Sequence, residues 1–364
     1  MTSSVISSRD TAAAELVVRQ QAYHQSTVKE LTGGCSWKWK LRYIDGLEDP
    51  SGWPALIGTN AHAAFELHEQ ERIDARLEGR PSVEVSEDQM VAAAQAALAA
   101  ADIGEQEDYG DGRPYNLATA QAAVERAVTY WWHEPIPAGQ PGAGTTIRDR
   151  VMAWVPVAVE PHFRVWVPGL SKPIGGWIDG VYFDPDARRF RLVDEKTADN
   201  FGRWPTDGTV SRLQPAQYAL GAKLSTSLPV WDLPAWEFHV MRTRPKGNSR
   251  FQAVRVIPVD VDEHDVDWII GKVREADAIV QAGAFQPEPD KMGPLCSKRW
   301  CPFFEAAGSP CPARPAPFEA HPELASQLAA ALLPTVEPAP TSHEDPFVGV
   351  AEVFYNADGS EVPF

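Results

Sequence analysis

The clearest indication of the fold comes from GWIDGVYFDPDARRFRLVDEKT, residues 176–197. Two runs of β-branched and aromatic residues flank a DPD turn signal at 184–186, so the sequence predicts two strands joined as a hairpin. Asp179 lies in the first predicted strand, and Asp194 and Lys196 end the second. Residues two apart in a strand point to the same face, and a hairpin would bring Asp179 alongside this pair.

These side chains suit a divalent-cation site that acts on phosphate. Carboxylate oxygens are hard ligands of the kind that Mg²⁺ and Mn²⁺ prefer. A neighbouring lysine can position or activate a water molecule and stabilise phosphate charge. The alternative is a solvated hairpin with charges near its turn, since Asp and Lys are common at strand ends. The hairpin residues alone leave both interpretations open.

Outward from the hairpin, the sequence predicts helices first, and then strands that alternate with helices. Ala-rich stretches with apolar residues at helical spacing predict helices at 88–101 and 117–132. From residue 145, short β-branched and aromatic runs are separated by Pro, Gly and Asp. The further predicted strands are 151–160, 162–170, 235–243 and 251–259, and the further predicted helices are 211–224 and 262–282. This order predicts an α/β or α+β layered core rather than an all-helical bundle.

Composition separates a folded part from a tail. The 364 residues contain 33 Lys and Arg against 50 Asp and Glu, a net charge of −17. This balance argues against a protein that coats nucleic acid through global positive charge, but it allows a local basic groove. Residues 312–364 contain nine Pro, eight acidic residues and one Arg, a composition typical of disordered linkers. We predict a helical part at 1–144, a core at 145–311 that forms one unit with it, and a tail at 312–364.

Two further patterns flank the hairpin in the sequence. Gly58-Thr-Asn-Ala-His62 begins an apolar-rich helix pattern, on which His62 and Glu66 share one face. Gln214 and Tyr218 lie one helical turn apart in a later pattern. By itself, a histidine on an apolar helix is most often a packed core residue, and the later pattern is an ordinary amphipathic turn.

Taken in order, these patterns resemble the RecB-like branch of the PD-(D/E)XK nuclease superfamily. Members of that branch carry G-x-x-x-H on a helix, G-x-x-D and D-x-K-T on strands, and Q-x-x-x-Y on a closing helix. The corresponding segments here are Gly58–His62, Gly176–Asp179, Asp194–Thr197 and Gln214–Tyr218. The resemblance implies a restriction-endonuclease-like core, with a central mixed sheet flanked by helices.

The same resemblance assigns roles to single residues. The implied ligands of Mg²⁺ or Mn²⁺ are His62, Asp179, Asp194 and the backbone carbonyl of Glu195. Lys196 would be the catalytic lysine, and Gln214 and Tyr218 would contact DNA or brace the site. Many relatives have an aromatic residue where Glu195 stands, and we expect its carboxylate to point to the opposite face of the strand. Glu160 would be either a further carboxylate near the metal or a surface glutamate.

The four cysteines form a second pattern. Cys35 stands alone near the N-terminus, and Cys296, Cys301 and Cys311 follow the last predicted core helix. This arrangement resembles that of the CRISPR-associated RecB-like exonucleases and the AddB nuclease domain, which implies a 4Fe–4S cluster joining the two ends of the domain. Four thiolates also suit tetrahedral zinc, and the C-x4-C-x9-C spacing is wider than usual, so iron and zinc both stay open. Four unrelated buried thiols are the remaining alternative.

Together, these patterns predict a metal-dependent DNA exonuclease that hydrolyses phosphodiester bonds in recombination, repair or phage DNA processing. One alternative is a non-catalytic protein of the same fold that binds DNA ends or single strands. The set of candidate ligands and the lysine is intact, which argues against that alternative. An endonuclease of the same superfamily and a zinc-stapled metalloprotein with another substrate also remain.

Location and partners follow from weaker signals. No run approaches the ~20 apolar residues of a membrane helix, and the first residues lack the pattern of a secretory signal, so we expect a cytoplasmic protein of a bacterium or a phage-infected host. Residues 358–364 resemble the acidic tip by which single-stranded-DNA-binding proteins recruit repair enzymes. The alternative interpretation is an ordinary chain end. The expected partners besides DNA are a helicase, a recombinase or a single-strand-binding protein system. No G-x-x-x-x-G-K-[ST] run occurs, so unwinding would come from a partner.

Overall fold

The computed structural model describes residues 22–47, 52–101, 116–206, 210–245 and 252–287, together with residues 296, 301, 303 and 311. The predicted tail at 312–364 lies outside these described residues. The chain divides into two compact units, each built from separate stretches. The first unit comprises residues 1–50, 164–175 and 267–364, and the second comprises 51–163 and 176–266. The three-part division that the sequence predicts stays a prediction.

The described elements confirm the mixed α/β class. The helices are α1 (Gln25–Gly33), α2 (Ser36–Tyr43), α3 (Trp53–Glu78), α4 (Glu87–Ala99), α5 (Leu117–His133), α6 (Ile147–Met152), α7 (Leu213–Leu224) and α8 (Glu263–Ala282). The strands are β1 (Val155–Val159), β2 (His162–Val165), β3 (Ile174–Trp177), β4 (Gly180–Asp184), β5 (Arg189–Ala198), β6 (Ala235–Arg242) and β7 (Val254–Val259). Among these helices, none combines the length and the apolar character needed to cross a membrane.

A five-stranded mixed sheet in the order β1-β4-β5-β6-β7 forms the centre of the second unit. β4 and β5 pair antiparallel, with Gly180 opposite Val193, which confirms the predicted hairpin. β5 and β6 are parallel, and their connection contains α7, because parallel neighbours need a crossover. β1 and β7 pair antiparallel with β4 and β6 at the two edges. β2 and β3 form a separate two-stranded sheet.

Helices α3, α4 and α5 share one apolar core with this sheet. Phe65 of α3 and Trp131 of α5 are both almost fully buried, and their ring centroids lie 5.4 Å apart. Val193 and Val256 join the same cluster from the strands. Capping boxes begin α4 at Ser86 and α5 at Asn116, where side chains satisfy backbone N–H groups that the helix leaves free. The long helix α3 is thereby held against the strands that carry the candidate site.

In the first unit, α1 and α2 are tied to the region around α8. The hydroxyl of Tyr23, just before α1, donates to the Asp277 carboxylate in α8 at 2.5 Å. Ser36 begins α2 and exchanges hydrogen bonds with the backbone of Gln286, which follows α8. These two contacts join residues that are 254 and 250 positions apart in the sequence.

The predicted strand at 151–160 is shorter than expected. Its first residues belong to the short helix α6, and β1 begins only at Val155. Thr146 caps α6, because its side chain accepts a hydrogen bond from the backbone N of Asp149. The cap begins the helix at Ile147, and the helix then includes Val151 and Met152, the first two residues of the run that favours a strand.

The predicted strand at 175–184 is interrupted. β3 ends at Trp177 and β4 begins at Gly180, so Asp179 lies between two strands rather than within one. At this break, the Asp179 carbonyl accepts a hydrogen bond from the backbone N of Glu160 at 3.2 Å. The interruption places Asp179 at a junction where its side chain can reach other elements.

Candidate active site

Asp179 joins three elements of the second unit. Its Oδ2 accepts a hydrogen bond from the backbone N of Glu195 on β5 at 2.9 Å. The same oxygen lies 3.1 Å from Nδ1 of His62 on α3. The carboxylate therefore ties the β3–β4 junction to β5 and to the long helix.

Asp194 and Lys196 lie two residues apart on β5, and their side chains contact each other. The Lys196 Nζ pairs with Oδ2 of Asp194, whose side chain is completely buried. Gln214, in the first turn of α7, donates from Nε2 to Oδ1 of Asp194 at 2.5 Å. Gln214 thus holds one oxygen of this buried carboxylate through a hydrogen bond, and the other is paired only with the Lys196 charge.

Tyr218 lies one turn after Gln214 on α7, and burial together with the charge of Asp194 raises the pKa of its hydroxyl. Its ring packs edge-on against Phe163 and Trp236, with centroids 5.5 and 5.7 Å away. A Cβ on Gly176 would come within 2.9 Å of the rings of both Tyr218 and Phe163. Close packing of α7 against β3 therefore requires the glycine of the G-x-x-D pattern.

Glu160 joins the group from the connection between β1 and β2. Its φ is 45°, in the left-handed region that non-glycine residues rarely adopt. Backbone strain of this kind costs roughly 1–3 kcal/mol and concentrates at functional sites. One ligand atom each from Glu160, His62 and Asp179 lie within 4.8 Å of one another. In the described part of the chain, this is the one such group spaced to share a metal ion.

Negative charge exceeds positive charge in this site. Burial raises the pKa of Asp194 to about 7, although Lys196 opposes the shift. Burial and the Asp179 charge raise the pKa of Glu160. Burial also acts against ionised Asp179, yet His62 and Lys196 outweigh it and lower the pKa of that carboxyl. Three carboxylates thus share two basic side chains, and a further cation would stabilise all three.

The pKa values of the two basic side chains, His62 and Lys196, shift in the direction that their acidic neighbours favour. Burial alone would lower the pKa of both groups. Asp179 reverses this effect and raises the pKa of His62. Asp194 and Asp179 together raise the pKa of Lys196. Lys196 is therefore an ammonium at neutral pH, held against a buried carboxylate.

The Glu195 carboxylate contacts residues other than the Asp194–Lys196 pair, as alternation along a strand predicts. Its Oε1 accepts a hydrogen bond from Nε1 of Trp131 at 3.2 Å. Burial, with the charges of Asp179 and Glu69, raises the pKa of Glu195 well above its usual value. Burial therefore favours the protonated form of its side chain, and its backbone N holds Asp179. The metal-ligand role of the Glu195 carbonyl stays a prediction.

The four cysteines belong to the first unit, and all four are described. Cys35 begins α2, and its Sγ accepts a hydrogen bond from the backbone N of Lys38 at 3.4 Å. Burial raises the pKa of Cys301, and the nearby thiols of Cys35 and Cys311 raise it further. The four cysteines form no disulfide. All four are among the described residues, and no three of their sulfurs lie within 4.8 Å of one another.

The structure brings together the predicted residues His62, Asp179, Asp194, Lys196, Gln214 and Tyr218. The sequence left the place of Glu160 open, and it gave no weight to His162 and Trp177. The rings of these last two are in contact, with centroids 4.5 Å apart and planes tilted by 37°. The available signal for Trp177 was its position two residues before Asp179.

The chain matches one protein family by sequence and is similar to solved structures. Residues 26–306 match the family model of the PD-(D/E)XK nuclease superfamily. No curated protein matches the chain. Among solved structures, a protein from Eubacterium rectale proposed to be an exonuclease is similar, with 12% identity and a TM-score of 0.42 over 81% of this chain and 92% of that one. The protein SSO0001 is similar with 10% identity and a TM-score of 0.33, over 84% of this chain and 97% of that one.

Proposed function

Because the chain belongs to the PD-(D/E)XK nuclease superfamily, which implies a hydrolytic nuclease that uses divalent metal, we propose that it is a Mg²⁺- or Mn²⁺-dependent DNA exonuclease. The observation that carries the proposal is the approach of His62, Glu160 and Asp179 to within 4.8 Å. The Asp194–Lys196 pair lies beside this group on β5. The exonuclease mode, and a role in recombination, repair or phage DNA processing, rest on the resemblance of the motifs.

The proposed metal ligands are His62, Asp179, Asp194 and the backbone carbonyl of Glu195, with Glu160 as an additional carboxylate. Carboxylate oxygens together with one imidazole nitrogen suit Mn²⁺ and Mg²⁺. The surplus of negative charge and the raised pKa of buried Asp194 support the same cation. When bound, it would polarise the scissile phosphate and lower the pKa of the attacking water.

Lys196 is the proposed catalytic lysine. Its ammonium, oriented by Asp194, can donate to a phosphate oxygen or to the attacking water and stabilise the charge that develops on the phosphate. Gln214 holds the other oxygen of Asp194 and therefore positions the carboxylate. Tyr218 braces the same helix through its ring contacts with Phe163 and Trp236, and any contact of either residue with DNA would be additional.

Two alternatives share this site. A DNA-end or single-strand binding protein without turnover would have no need of a lysine held beside a buried carboxylate, and that contact favours catalysis. An endonuclease of the same superfamily would use the same residues. Substrate topology separates this alternative from an exonuclease, since only an endonuclease cuts closed circular DNA.

The test is degradation of linear and circular DNA, single- and double-stranded, with Mg²⁺ or Mn²⁺. We expect the wild type to degrade linear DNA only, and Asp194→Ala and Lys196→Ala to be inactive. Asp186→Asn, an exposed change in the turn of the same hairpin, is the matched control and should stay active. Digestion that survives in both site variants would overturn the proposal. A wild type that binds DNA but leaves every substrate intact would favour the binding protein.

The four cysteines are the proposed ligands of a 4Fe–4S cluster. Cys35 and Cys311 lie near enough to Cys301 to raise the pKa of its thiol, which supports a site shared by these sulfurs. We expect anaerobically purified protein to absorb broadly in the visible and to contain iron, and Cys301→Ser to lose both signals. One zinc per chain without visible absorbance would support a zinc site instead. Protein that contains neither iron nor zinc would support the alternative of four unrelated thiols.

The C-terminal residues 358–364 lie outside the described residues, and their partner role is a proposal from the sequence alone. An acidic tip with a terminal aromatic residue would fit a basic-rimmed pocket on a helicase, a recombinase or a single-strand-binding protein system. Pull-down with the full chain and with a chain lacking Phe364 tests this role. Equal recovery of partners by the two chains would contradict it.

A further inference from the structure

A strongly basic stretch runs from the end of β6 to the beginning of β7. Residues 242–255 contain five basic residues and no acidic one, in a chain whose net charge is −17. The five are Arg242, Arg244, Lys246, Arg250 and Arg255. The structure describes three of them, since Lys246 and Arg250 lie outside the described residues. Positive charge is therefore concentrated here, against the overall balance of the chain.

The register of the sheet puts two of these arginines on the same face as Lys196. Lys196 on β5 lies opposite Val240 on β6, and Val240 lies opposite Arg255 on β7. Arg242 follows Val240 by two positions and lies opposite Ala198. Residues opposite each other on paired strands, and residues two apart on one strand, project from one face of a sheet. Lys196, Arg242 and Arg255 therefore share a face.

Short distances separate these three positions. At a strand spacing of about 4.8 Å, two steps across the sheet put the Cα of Arg255 roughly 10 Å from that of Lys196. One step across the sheet and two residues along it put the Cα of Arg242 about 8 Å from that of Lys196. Successive charges of one DNA strand lie about 3.4 Å apart along the helix axis, so both distances correspond to two or three nucleotides.

Neutral groups hold the guanidinium of Arg255. Its Nε donates to the Gln252 side chain at 3.0 Å, and its Nη1 donates to the backbone carbonyl of Phe201 at 3.3 Å and to that of Trp204. The Phe201 ring centroid lies 4.6 Å from the guanidinium carbon. Burial lowers the pKa of Arg255, and no carboxylate in the described part of the chain opposes this shift. The side chain is therefore oriented without being neutralised.

Asp199 ties the other two described arginines to the end of β5. Its backbone carbonyl accepts a hydrogen bond from Nη2 of Arg242 at 3.3 Å, and its Oδ2 accepts one from Nη2 of Arg244 at 3.1 Å. Its Oδ1 accepts a third, from the hydroxyl of Thr243, at 2.7 Å. Asp199 directly follows β5, so these contacts hold the arginines at the strand end that also carries Lys196.

We propose that Arg242 and Arg255 form a phosphate-binding surface that continues from Lys196 and holds the DNA backbone beside the scissile phosphate. The inference rests on the proposed nuclease function and adds the place at which the enzyme holds the strand that it cleaves. A guanidinium carries five N–H donors, so contacts with carbonyls orient it and still allow it to donate to a phosphate. The contacts with phosphate are ionic and carry no sequence preference.

A structural role of Arg255 has to be separated from phosphate binding, because Phe201 and Trp204 belong to the connection between β5 and α7. The salt dependence of DNA binding makes this separation. Each phosphate contact contributes a slope of about −0.9 to log Kobs against log salt concentration for duplex DNA, and about −0.7 for a single strand. An arginine that only holds the connection contributes to stability but not to this slope.

The test measures binding of single-stranded and duplex oligonucleotides by fluorescence anisotropy at several salt concentrations, with Ca²⁺ in place of Mg²⁺. The variants are Arg255→Gln, Arg255→Lys and Arg242→Gln. Arg189→Gln is the matched control, because Arg189 is exposed at the beginning of β5. It lies seven residues before Lys196, about 23 Å away along the strand. Thermal melts give the folded fraction of every variant.

We expect Arg255→Gln and Arg242→Gln each to bind DNA several-fold more weakly at about 0.1 M salt and to reduce the magnitude of the slope by roughly 0.7–0.9. Arg255→Lys keeps the charge and should keep the wild-type slope. Arg189→Gln should bind as the wild type does. The surface is overturned if Arg255→Gln keeps the wild-type slope, or if Arg189→Gln reduces the slope as much as Arg255→Gln does.

Binding by the variants and cleavage by the wild type are separate measurements, so failure of this inference and failure of the proposed function are distinguishable. A wild type that cleaves no DNA, with a slope that falls in Arg255→Gln, would overturn the nuclease and keep the surface. A wild type that cleaves DNA, with the same slope in Arg255→Gln, would keep the nuclease and overturn the surface.

Discussion

Two buried carboxylates on neighbouring strands of one sheet have opposite surroundings. Asp194 on β5 is 0% exposed, and Glu237 on β6 is 1% exposed. Arg150 donates to Glu237 through two nitrogens, at 2.8 and 2.5 Å. Arg191 adds a third contact at 3.1 Å and His239 a fourth at 3.2 Å. Asp194 has only a lysine and a neutral amide as its named donors.

The pKa values follow this difference. Burial acts against both charges, yet Arg150 and His239 lower the pKa of Glu237 to about 2. At Asp194, burial prevails and raises the pKa to about 7. The Glu237 cluster is balanced by its own cations and needs nothing from solution. The Asp194 site is left with surplus negative charge, which a metal ion would neutralise.

Neutralising Asp194 is the change with the largest expected effect. Asp194→Asn should lower the rate of DNA cleavage on the order of a hundred- to thousandfold, because it removes a proposed ligand and the partner of Lys196. The free energy of unfolding should stay the same or rise, since a buried charge with incomplete compensation is removed. Cleavage kinetics and urea denaturation measure the two effects. A large loss of stability would place Asp194 in the same class as Glu237.

The reciprocal change is Glu237→Gln. It keeps the side-chain volume but leaves Arg150 and Arg191 without their buried carboxylate, so we expect a loss of about 3–5 kcal/mol in the free energy of unfolding. Cleavage per folded molecule should be retained, because the cluster holds the sheet and touches no proposed ligand. Denaturation midpoints and activity corrected for the folded fraction test this expectation. A variant as stable as the wild type would contradict the balanced-cluster interpretation.

Metal binding should stabilise the site around Asp194, where negative charge exceeds positive charge. At a metal concentration of about 100 times Kd, the free energy of unfolding should rise by roughly 2.7 kcal/mol. Mn²⁺ should raise the melting temperature of the wild type, and Glu160→Gln should reduce the shift. Glu66→Gln is the control, because Glu66 is exposed on the same helix face as His62 and lies outside the group within 4.8 Å. Equal shifts in both variants would remove Glu160 from the metal site.

The sequence predicted the parts of this site that depend on local periodicity. The hairpin that carries Asp194 and Lys196 follows from alternation and a turn signal, and the approach of Gln214 and Tyr218 follows from one helical turn. The place of Glu160 could not be predicted, because it depends on a left-handed backbone and on pairing with Asp179, 19 positions away. Neither the left-handed backbone nor the pairing with a distant residue produces a periodic pattern in the sequence.

The Glu237 cluster was missed for the same reason. Its arginines come from α6 and β5, and they are 87 and 46 positions away from Glu237 in the sequence. Nothing near Glu237 signals these partners. Its neighbours on β6 read as an ordinary buried strand. Charge balance in a buried cluster is a property of tertiary packing, whereas the motif residues occur at spacings that a strand or a helix fixes locally.

The smallest expected effect is the pH dependence of the balanced cluster. Burial lowers the pKa of His239 below 6.5, although Glu237 opposes the shift. The neutral ring is therefore favoured in the folded state, and its contribution to stability is present above pH 6.5 and is lost as the pH falls through the folded pKa. The loss should approach about 1.4 kcal/mol per pH unit between the two pKa values.

His239→Gln isolates this contribution, since the amide can still donate to Glu237 but does not titrate in this range. The difference in unfolding free energy between wild type and His239→Gln should change as the pH falls from 7 to 5, and it should be constant above pH 7. Glu237 itself contributes above about pH 4.5 and loses its contribution only as the pH falls toward 2. A pH-independent difference would mean that His239 keeps its ordinary pKa in the folded protein. The cluster would then be less tightly closed to water than its burial indicates.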